Sequence, residues 1–132
     1  MENKLSESLS NYLEIIYEEE LKSSFKVQPN TIAEKLSVTR AAVTKATEKL
    51  ASNGYIIKVH YGDVTLTDLG REIAKASNER TKTIYNFLKN LGVNENDAIA
   101  QSRKLAYVLK DEIYLKLKDS LETNSQKTPT NL

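Results

Sequence analysis

The stretch that decides the fold is residues 31–70, TIAEKLSVTRAAVTKATEKLASNGYIIKVHYGDVTLTDLG. On either side of Ser37-Val38, apolar residues recur at the spacing of amphipathic helices. The following runs, rich in β-branched and aromatic residues, flank Tyr61-Gly62-Asp63, which is typical of a hairpin. Residues 31–70 therefore predict two helices joined by a tight turn, followed by two short strands.

Polar residues and a glycine mark where these elements begin and end. Asn30 and Thr39 are suited to cap the two helices, because their side-chain oxygens accept hydrogen bonds from N–H groups of the first turn. Asn53-Gly54 closes the second helix, since glycine readily adopts the left-handed conformation at a helix end. The expected elements are a helix beginning after Asn30, a helix over Arg40–Ser52, strands over Tyr55–Val59 and Val64–Leu66, and a long helix capped by Thr67.

Amphipathic helices are also expected outside this stretch. The predicted helices run from Leu5 to Leu21, from Thr67 to Gly92, from Asn94 to Leu109 and from Asp111 to Leu121. From Glu122 onward the chain is polar, which predicts a disordered tail. The predicted fold class is mainly α with a small β-hairpin. It comprises a winged helix-turn-helix in residues 1–75, a helical dimerisation region in residues 76–121 and the tail in residues 122–132.

Composition excludes several classes of function. The chain has 19 Lys+Arg against 18 Asp+Glu, so its net charge of +1 produces no overall field that attracts a polyanion. With no cysteine, one histidine and no glycine-rich phosphate loop, the residues needed for catalysis are missing, and we expect no enzyme. No apolar run approaches the roughly 20 residues of a membrane span, and the amino terminus lacks the apolar core of a signal peptide. A cytoplasmic protein without a membrane partner is expected.

Positive charge is nevertheless concentrated locally, between Ser37 and Tyr61. This segment contains three lysines and an arginine but a single acid, Glu48. A helix with small or hydrogen-bonding residues in its first turn fits the major groove of DNA, which is roughly 12 Å wide. The stretch is therefore interpreted as a winged helix-turn-helix that binds double-stranded DNA. The predicted DNA-binding residues are Thr39, Arg40, Ala41, Thr44, Lys45, Lys49, Lys58 and Tyr61.

Several of these side chains also have a plainer interpretation. Arg40 either contacts a guanine or a phosphate, as its bidentate geometry favours, or is a solvated first-turn residue. Thr44 and Lys45 favour phosphates over bases, since phosphate contacts form the majority in such interfaces. Tyr61 either packs under the hairpin, which is favoured, or touches the sugar-phosphate backbone. A lone histidine such as His60 is more often exposed and inactive than functional.

The order and spacing of several motifs resemble one known family. TIAEKLSVTRAAVTKATEKLASNGYI at 31–56, YGDVTLTDLGREIA at 61–74, YLEIIY at 12–17 and FLKNLGV at 87–93 are similar to the diphtheria toxin repressor and manganese transport regulator family. The resemblance covers most of residues 12–117. It implies a homodimer with a winged helix-turn-helix in each subunit and later helices in the dimer interface. It also implies repression of metal-uptake genes when manganese or iron is bound.

The metal-binding positions are where the sequence departs from this family. The resemblance assigns them to Asn11 and Glu14 in the first helix, Thr81 in the long helix, and Arg103, Ala106 and Tyr107 in the next helix. Only Glu14 is a plausible ligand, because manganese, iron or zinc needs carboxylates and imidazoles held together. We therefore expect no metal cofactor, although the family implies a divalent ion such as manganese or iron.

Arg103 suggests what replaces the ion. A guanidinium opposite Glu14 would join the first helix to the dimerisation helix, as the bound metal would in a metal-sensing relative. The alternative for Arg103 is a surface charge on an exposed helix face. An organic ligand surrounded by Thr81, Ala106 and Tyr107 is a further alternative, which would make the protein a small-molecule-responsive regulator.

Apolar surface beyond the needs of one small winged helix predicts a homodimer. Leu5 and Leu9, together with the stripe from Ile84 to Leu109, form patches of a size that normally finds a partner. A twofold dimer would bind a pseudo-palindromic duplex. The competing function is a winged-helix protein-interaction module without direct DNA binding. Salt-dependent binding to duplex DNA discriminates between the two functions.

Overall fold

Six α-helices and one two-stranded hairpin form the described part of the chain. The computed structural model of the protein describes residues 5–23 and 26–127, with side chains described through residue 123. In chain order the elements are α1 (Glu7–Ser23), α2 (Pro29–Leu36), α3 (Arg40–Ser52), β1 (Ile56–Lys58), β2 (Val64–Leu66), α4 (Asp68–Asn90), α5 (Glu95–Val108) and α6 (Asp111–Lys127). The predicted class, mainly α with a small β-hairpin, is confirmed. Among the described residues, no helix combines the length and the apolar character needed to cross a bilayer.

The chain divides into two compact units, Met1–Ala76 and Ser77–Leu132. The first unit contains α1, α2, α3 and the hairpin, and the second contains α5 and α6. The predicted roles, DNA binding for residues 1–75 and dimerisation for residues 76–121, stay predictions, because compactness alone assigns no role to a unit.

A single apolar core holds the first unit together. Its buried residues are Tyr12, Leu13 and Ile16 of α1, Val27, Ile32 of α2, Val43 and Leu50 of α3, Ile56, Val64 and Leu66 of the hairpin, and Ala74 of α4. Leu5 and Leu9 are half-buried against the same core. The winged helix itself therefore covers part of the apolar surface that the sequence assigned to a dimer.

Helix α2 begins earlier than the sequence predicted. Its first residue is Pro29 and its N-cap position is Gln28, so the assignment of Asn30 as the cap is wrong. Proline is favoured at the first helical position because its fixed φ suits a helix and its missing N–H would have no partner there.

Helix α6 continues further than the sequence predicted. It begins at Asp111, where the sequence predicted the helix to start, and it ends at Lys127. Disorder was predicted from Glu122, but no proline or glycine interrupts the helix before Pro129. The rest of the predicted tail, residues 128–132, lies outside the described residues.

Helix α5 is fixed at its first turn. The Asn94 side chain accepts a hydrogen bond of 2.9 Å from the Asp97 N–H, which confirms Asn94 as the predicted start of this helix. The Tyr85 hydroxyl of α4 donates a 2.7 Å hydrogen bond to Glu95. That bond lowers the pKa of the Glu95 carboxyl and raises the pKa of the Tyr85 phenol, because it favours the charged carboxylate and the neutral phenol.

Arg80 joins α4 to the connection between α5 and α6. Its guanidinium donates to the Asp111 carboxylate at 2.9 Å and to the Leu109 carbonyl. The same guanidinium lies 4.5 Å from the centroid of the Tyr114 ring, within cation–π distance. These contacts fix the direction in which α6 leaves the turn.

Candidate nucleic-acid interface

The turn between α2 and α3 has the geometry that the sequence predicted. Ser37 closes α2 in the left-handed conformation, with φ 56° and ψ 48°. Thr39 Oγ1 accepts a 3.0 Å hydrogen bond from the Ala42 N–H, so Thr39 is confirmed as the cap of α3. The cap uses the oxygen of Thr39 as an acceptor, and the hydroxyl proton can be donated elsewhere.

Helix α3 turns one face to the core and the opposite face to solvent. Val43, Thr47 and Leu50, each at most 2% exposed, form the buried face. The predicted DNA-binding residues of α3 are all exposed: Arg40, Ala41, Thr44, Lys45 and Lys49. Residues four apart on a helix are neighbours, so Lys45 and Lys49 concentrate positive charge on the solvent face.

Arg40 is held at the start of α3 by a residue of α2. Its Nη1 donates a 3.0 Å hydrogen bond to Asn30 Oδ1, and both residues are exposed. A guanidinium has five N–H donors, so this bond leaves enough of them for a bidentate contact with guanine or phosphate. Thr44 differs, since its hydroxyl donates a 3.1 Å bond to the Arg40 carbonyl. A phosphate only accepts hydrogen bonds, so contact with Thr44 would require that internal bond to break.

The predicted wing is a short antiparallel hairpin. Strands β1 and β2 pair with Ile56 opposite Leu66 and Lys58 opposite Val64. Strand β1 is shorter at both ends than the predicted Tyr55–Val59. The ladder ends there because residues 60–62 form one 3-10 turn, while at the other end the chain enters α4.

Tyr61 stands at the tip of the wing. Its backbone is left-handed, with φ 62° and ψ 21°, and its side chain is 94% exposed. The favoured packing of Tyr61 under the hairpin is therefore wrong. The next residue, Gly62, takes the inner position, where an added Cβ would meet Pro29 Cγ at 3.3 Å. His60 is exposed beside Tyr61, with 6.3 Å between the ring centroids.

Two residues from earlier in the chain support the free edge of β2. Val27 and Val64 exchange two backbone hydrogen bonds of 2.8 and 2.9 Å. Glu20 of α1 accepts hydrogen bonds from the Leu66 N–H at 2.8 Å and from the Thr65 hydroxyl at 2.9 Å. Backbone groups at a strand edge need such partners where water does not reach them.

The positions that correspond to the family's metal ligands are distributed over both units. They are Asn11 and Glu14 in the first unit and Thr81, Arg103, Ala106 and Tyr107 in the second. Glu14 is 1% exposed, and Thr81 and Ala106 are each 9% exposed. Within residues 5–23 and 26–127, no three His, Cys, Asp or Glu side chains are grouped to bind a metal ion. Of these six positions only Glu14 carries a carboxylate and none carries an imidazole, so the side chains present do not fit divalent manganese or iron. The pairing of Glu14 with Arg103 stays a prediction.

The sequence did not indicate two residues that support the candidate interface, Asn30 and Glu20. Asn30 was interpreted as a helix cap, although Pro29 before it is a signal that the helix has already begun. Glu20 carries no signal in the sequence, because it resembles its acidic neighbours Glu18 and Glu19 and its partners lie 45 and 46 residues away.

Comparison with known sequences finds regulators that carry a helix-turn-helix. The model of a family described as iron dependent repressor, N-terminal DNA binding domain, matches residues 4–64. An uncharacterised HTH-type transcriptional regulator of Methanocaldococcus jannaschii is 35% identical over 119 residues, which cover 89% of this chain and 95% of that protein. The HTH-type transcriptional regulator MntR of Lysinibacillus sphaericus is 39% identical over 64 residues, which cover 48% of this chain and 46% of that protein.

A solved structure agrees with these sequence matches. The manganese regulator SloR superimposes with a TM-score of 0.76 at 27% identity, over 86% of this chain and 53% of that one. The matched residues therefore cover about half the length of SloR and of the Lysinibacillus regulator. With the Methanocaldococcus regulator, by contrast, the match extends over nearly the whole of both proteins. These matches show that the chain belongs to the iron-dependent repressor family, the family of the diphtheria toxin repressor and the manganese transport regulators.

Proposed function

We propose that the protein is a transcriptional repressor that binds duplex DNA with α3 in the major groove. The observation that carries this proposal is the exposed face of α3, with Arg40 at its first turn and Lys45 and Lys49 behind it. Arginine at the amino end of such a helix suits a bidentate contact with guanine or phosphate, and the lysines suit phosphates. On the wing, Lys58 and Tyr61 would contact the flanking sugar-phosphate backbone.

The regulator acts, in this proposal, as a homodimer on a pseudo-palindromic site. Support comes from the second unit, in whose described part large apolar side chains are exposed at Leu91, Ile99, Val108, Ile113 and Leu115. Apolar surface of this extent is unfavourable in water and is normally covered by a partner. Two copies related by a twofold axis would place two α3 helices on successive major grooves, roughly 34 Å apart or a multiple of that distance.

The regulator is also proposed to act without the family's metal ion. Support comes from the chemistry of the six corresponding positions, where Glu14 is the only carboxylate and no histidine is present. Manganese and iron are bound by several carboxylates and imidazoles together, and Arg103 would add positive charge among the ligand positions. The signal that regulates DNA binding, whether a small molecule or a partner protein, is not specified by these residues.

Binding of the purified protein to duplexes selected from a random-sequence pool tests the proposal. We expect affinity to fall steeply as salt rises, by about a thousandfold between 50 and 200 mM if roughly six phosphates are contacted. Arg40→Ala should weaken binding by about 1–3 kcal/mol. Lys45→Glu should weaken it on all sequences, and Lys75→Glu, an equal charge change at an exposed lysine of α4, should have little effect. Adding manganese or a chelator should not change the affinity.

Three results would contradict parts of this proposal separately. No salt-dependent DNA binding would favour a winged-helix module that contacts other proteins. If Lys45→Glu and Lys75→Glu lowered the affinity for DNA equally, α3 would not form the DNA interface. A stoichiometric site of micromolar affinity for manganese, iron or zinc, measured by calorimetry, would refute metal independence.

A further inference from the structure

The carboxylate of Glu20 lies where α1, β2 and α4 meet in the first unit. It accepts three hydrogen bonds, from the Leu66 N–H at 2.8 Å, the Thr65 hydroxyl at 2.9 Å and Arg71 Nη2 at 3.0 Å. The Glu20 side chain is only 8% exposed. A buried carboxylate is destabilising unless donors satisfy its oxygens, so these three donors define one arrangement of the side chain and its partners.

The same contacts hold the backbone of the return strand at Leu66. The Glu20 carboxylate accepts a hydrogen bond from the Leu66 N–H, and Arg71 Nη2 lies 3.5 Å from the Leu66 carbonyl oxygen. Arg71 is in turn 3.6 Å from Asp68 in the first turn of α4. Both polar groups of the Leu66 backbone are thereby joined to helices, the N–H to α1 through Glu20 and the carbonyl to α4 through Arg71.

A hairpin with strands of three residues does not maintain its own direction. The direction of the exposed tip at Tyr61 therefore depends on the contacts that hold the hairpin along β2. Two of these contacts come from outside it: Val27 pairs with Val64, and Glu20 binds the next two residues. Of the two, only Glu20 adds a charged side chain that specifies a single geometry.

We propose that Glu20 is a positioning residue for DNA binding. By fixing β2, it sets the direction in which Tyr61 meets the sugar-phosphate backbone of a duplex, without touching DNA itself. The inference rests on the proposed function, because it assigns Glu20 a role in that same interface. The neighbouring Glu19 does not share the role, since it pairs with Lys22 at 3.4 Å and with Lys35 at 3.7 Å.

A double-mutant cycle separates a positioning role from a purely structural one. DNA affinity is measured for Glu20→Ala alone, with Tyr61→Ala and with Arg40→Ala, on a duplex selected by the wild-type protein. We expect Glu20→Ala to weaken binding about tenfold. In the Tyr61→Ala background the further loss should shrink to less than about twofold, because the group that Glu20 positions is already absent. In the Arg40→Ala background the loss should stay about tenfold.

The control is Glu19→Ala, which removes the same charge from the adjacent residue and should leave DNA affinity unchanged. Glu20→Gln keeps an oxygen for the Leu66 N–H and the Thr65 hydroxyl, so it replaces Glu20→Ala in the cycle if that variant does not fold. Hydrogen exchange at the Leu66 amide should accelerate in Glu20→Ala, which removes the acceptor, and less in Glu20→Gln, which keeps an acceptor but loses the charge opposite Arg71. If Glu20→Ala and Tyr61→Ala caused additive losses of DNA affinity, the positioning role of Glu20 would be refuted, while the proposed function would still stand. No DNA binding by the wild-type protein would overturn the proposed function and this inference with it.

Discussion

Tyr61 adopts a backbone conformation and an exposure that its sequence context does not predict. In Tyr61-Gly62-Asp63, glycine is the residue expected to adopt a positive φ, and Gly62 does so at 82°. Tyr61 adopts φ 62° as well, a conformation that is unfavourable for a residue with a Cβ. The sequence favoured packing of the ring under the hairpin, but the residue type alone carries no information about a turn that directs the side chain outward. An unfavourable conformation at an exposed tip is consistent with a contact made in a complex.

Substitution of Tyr61 should separate stability from binding. Tyr61→Gly removes the Cβ from a left-handed residue and should raise the free energy of unfolding by about 0.5–1 kcal/mol. The same variant should bind duplex DNA more weakly, because the exposed ring is lost. Denaturant unfolding and a DNA titration measure the two effects.

Ser37→Gly is the matched control, because Ser37 also has a positive φ, 56°, but closes α2 and is not a predicted DNA contact. It should be stabilising in the same way and leave DNA affinity unchanged. A loss of stability in Tyr61→Gly would show that the ring contributes to the fold, contrary to its exposure.

At the scale of helices and strands, the sequence predicted the bounds of a helix correctly where a capping residue directly precedes a regular pattern of buried residues. Helix α3 has the predicted bounds, Arg40–Ser52, because Thr39 caps it and buried residues recur along it. The predicted start of α2 and the predicted end of α6 were wrong. Each depends on how far a helix continues through residues that are compatible with a helix but do not themselves mark its end. Contacts such as those of Glu20 could not be predicted from the sequence, because they join residues that are 45 and 46 positions apart and belong to no shared motif.

The junction between the hairpin and α4 should tolerate no added side chain. A Cβ on Gly70 would lie 1.9 Å from the Tyr55 carbonyl oxygen, which accepts a 3.1 Å hydrogen bond from the Thr67 N–H. Gly70→Ala should therefore lower the free energy of unfolding by about 2–3 kcal/mol or more. Urea unfolding of the purified variant measures the loss.

Gly54→Ala provides the comparison, since an added Cβ at Gly54 meets nothing within 4 Å and only the positive φ of 85° opposes it. A loss of about 1 kcal/mol is expected there. Equal losses in the two variants would mean that the close approach of Gly70 to Tyr55 is not retained in solution.

For the whole molecule, the net charge gives no indication of the proposed DNA interface. The total of +1 conceals a segment in which cations outnumber acids, and only the position of that segment on the exposed face of α3 gives it significance. The winged helix could be predicted from the sequence, since its turn, caps and hairpin are local. The homodimer is a property of two chains, and it stays a prediction.

Association of the chain should depend on the apolar surface of the second unit. We expect sedimentation equilibrium at micromolar concentration to give the mass of a dimer. Ile113→Glu introduces a charge at an apolar residue of α6 that is 46% exposed, and it should shift the equilibrium toward monomer by about tenfold or more.

Ser120→Glu adds the same charge at an exposed polar position of the same helix and should not change association. A wild-type protein that sediments as a monomer would refute the dimer. Equal effects of the two substitutions would indicate that net charge, and not the apolar surface, controls association.

The anchoring of β2 from α1 has a consequence for transplantation of the wing. Residues 31–70 contain most of α2, the whole of α3 and both strands of the wing. The outer edge of β2 is nevertheless hydrogen-bonded to Val27 and Glu20, which precede this stretch in the chain. A chimaera that received only this stretch would leave the Leu66 N–H and the Thr65 hydroxyl without their acceptor. The smallest unit that can be exchanged between relatives thus includes α1, and substitutions at Glu20 and Thr65 are expected to occur together during evolution.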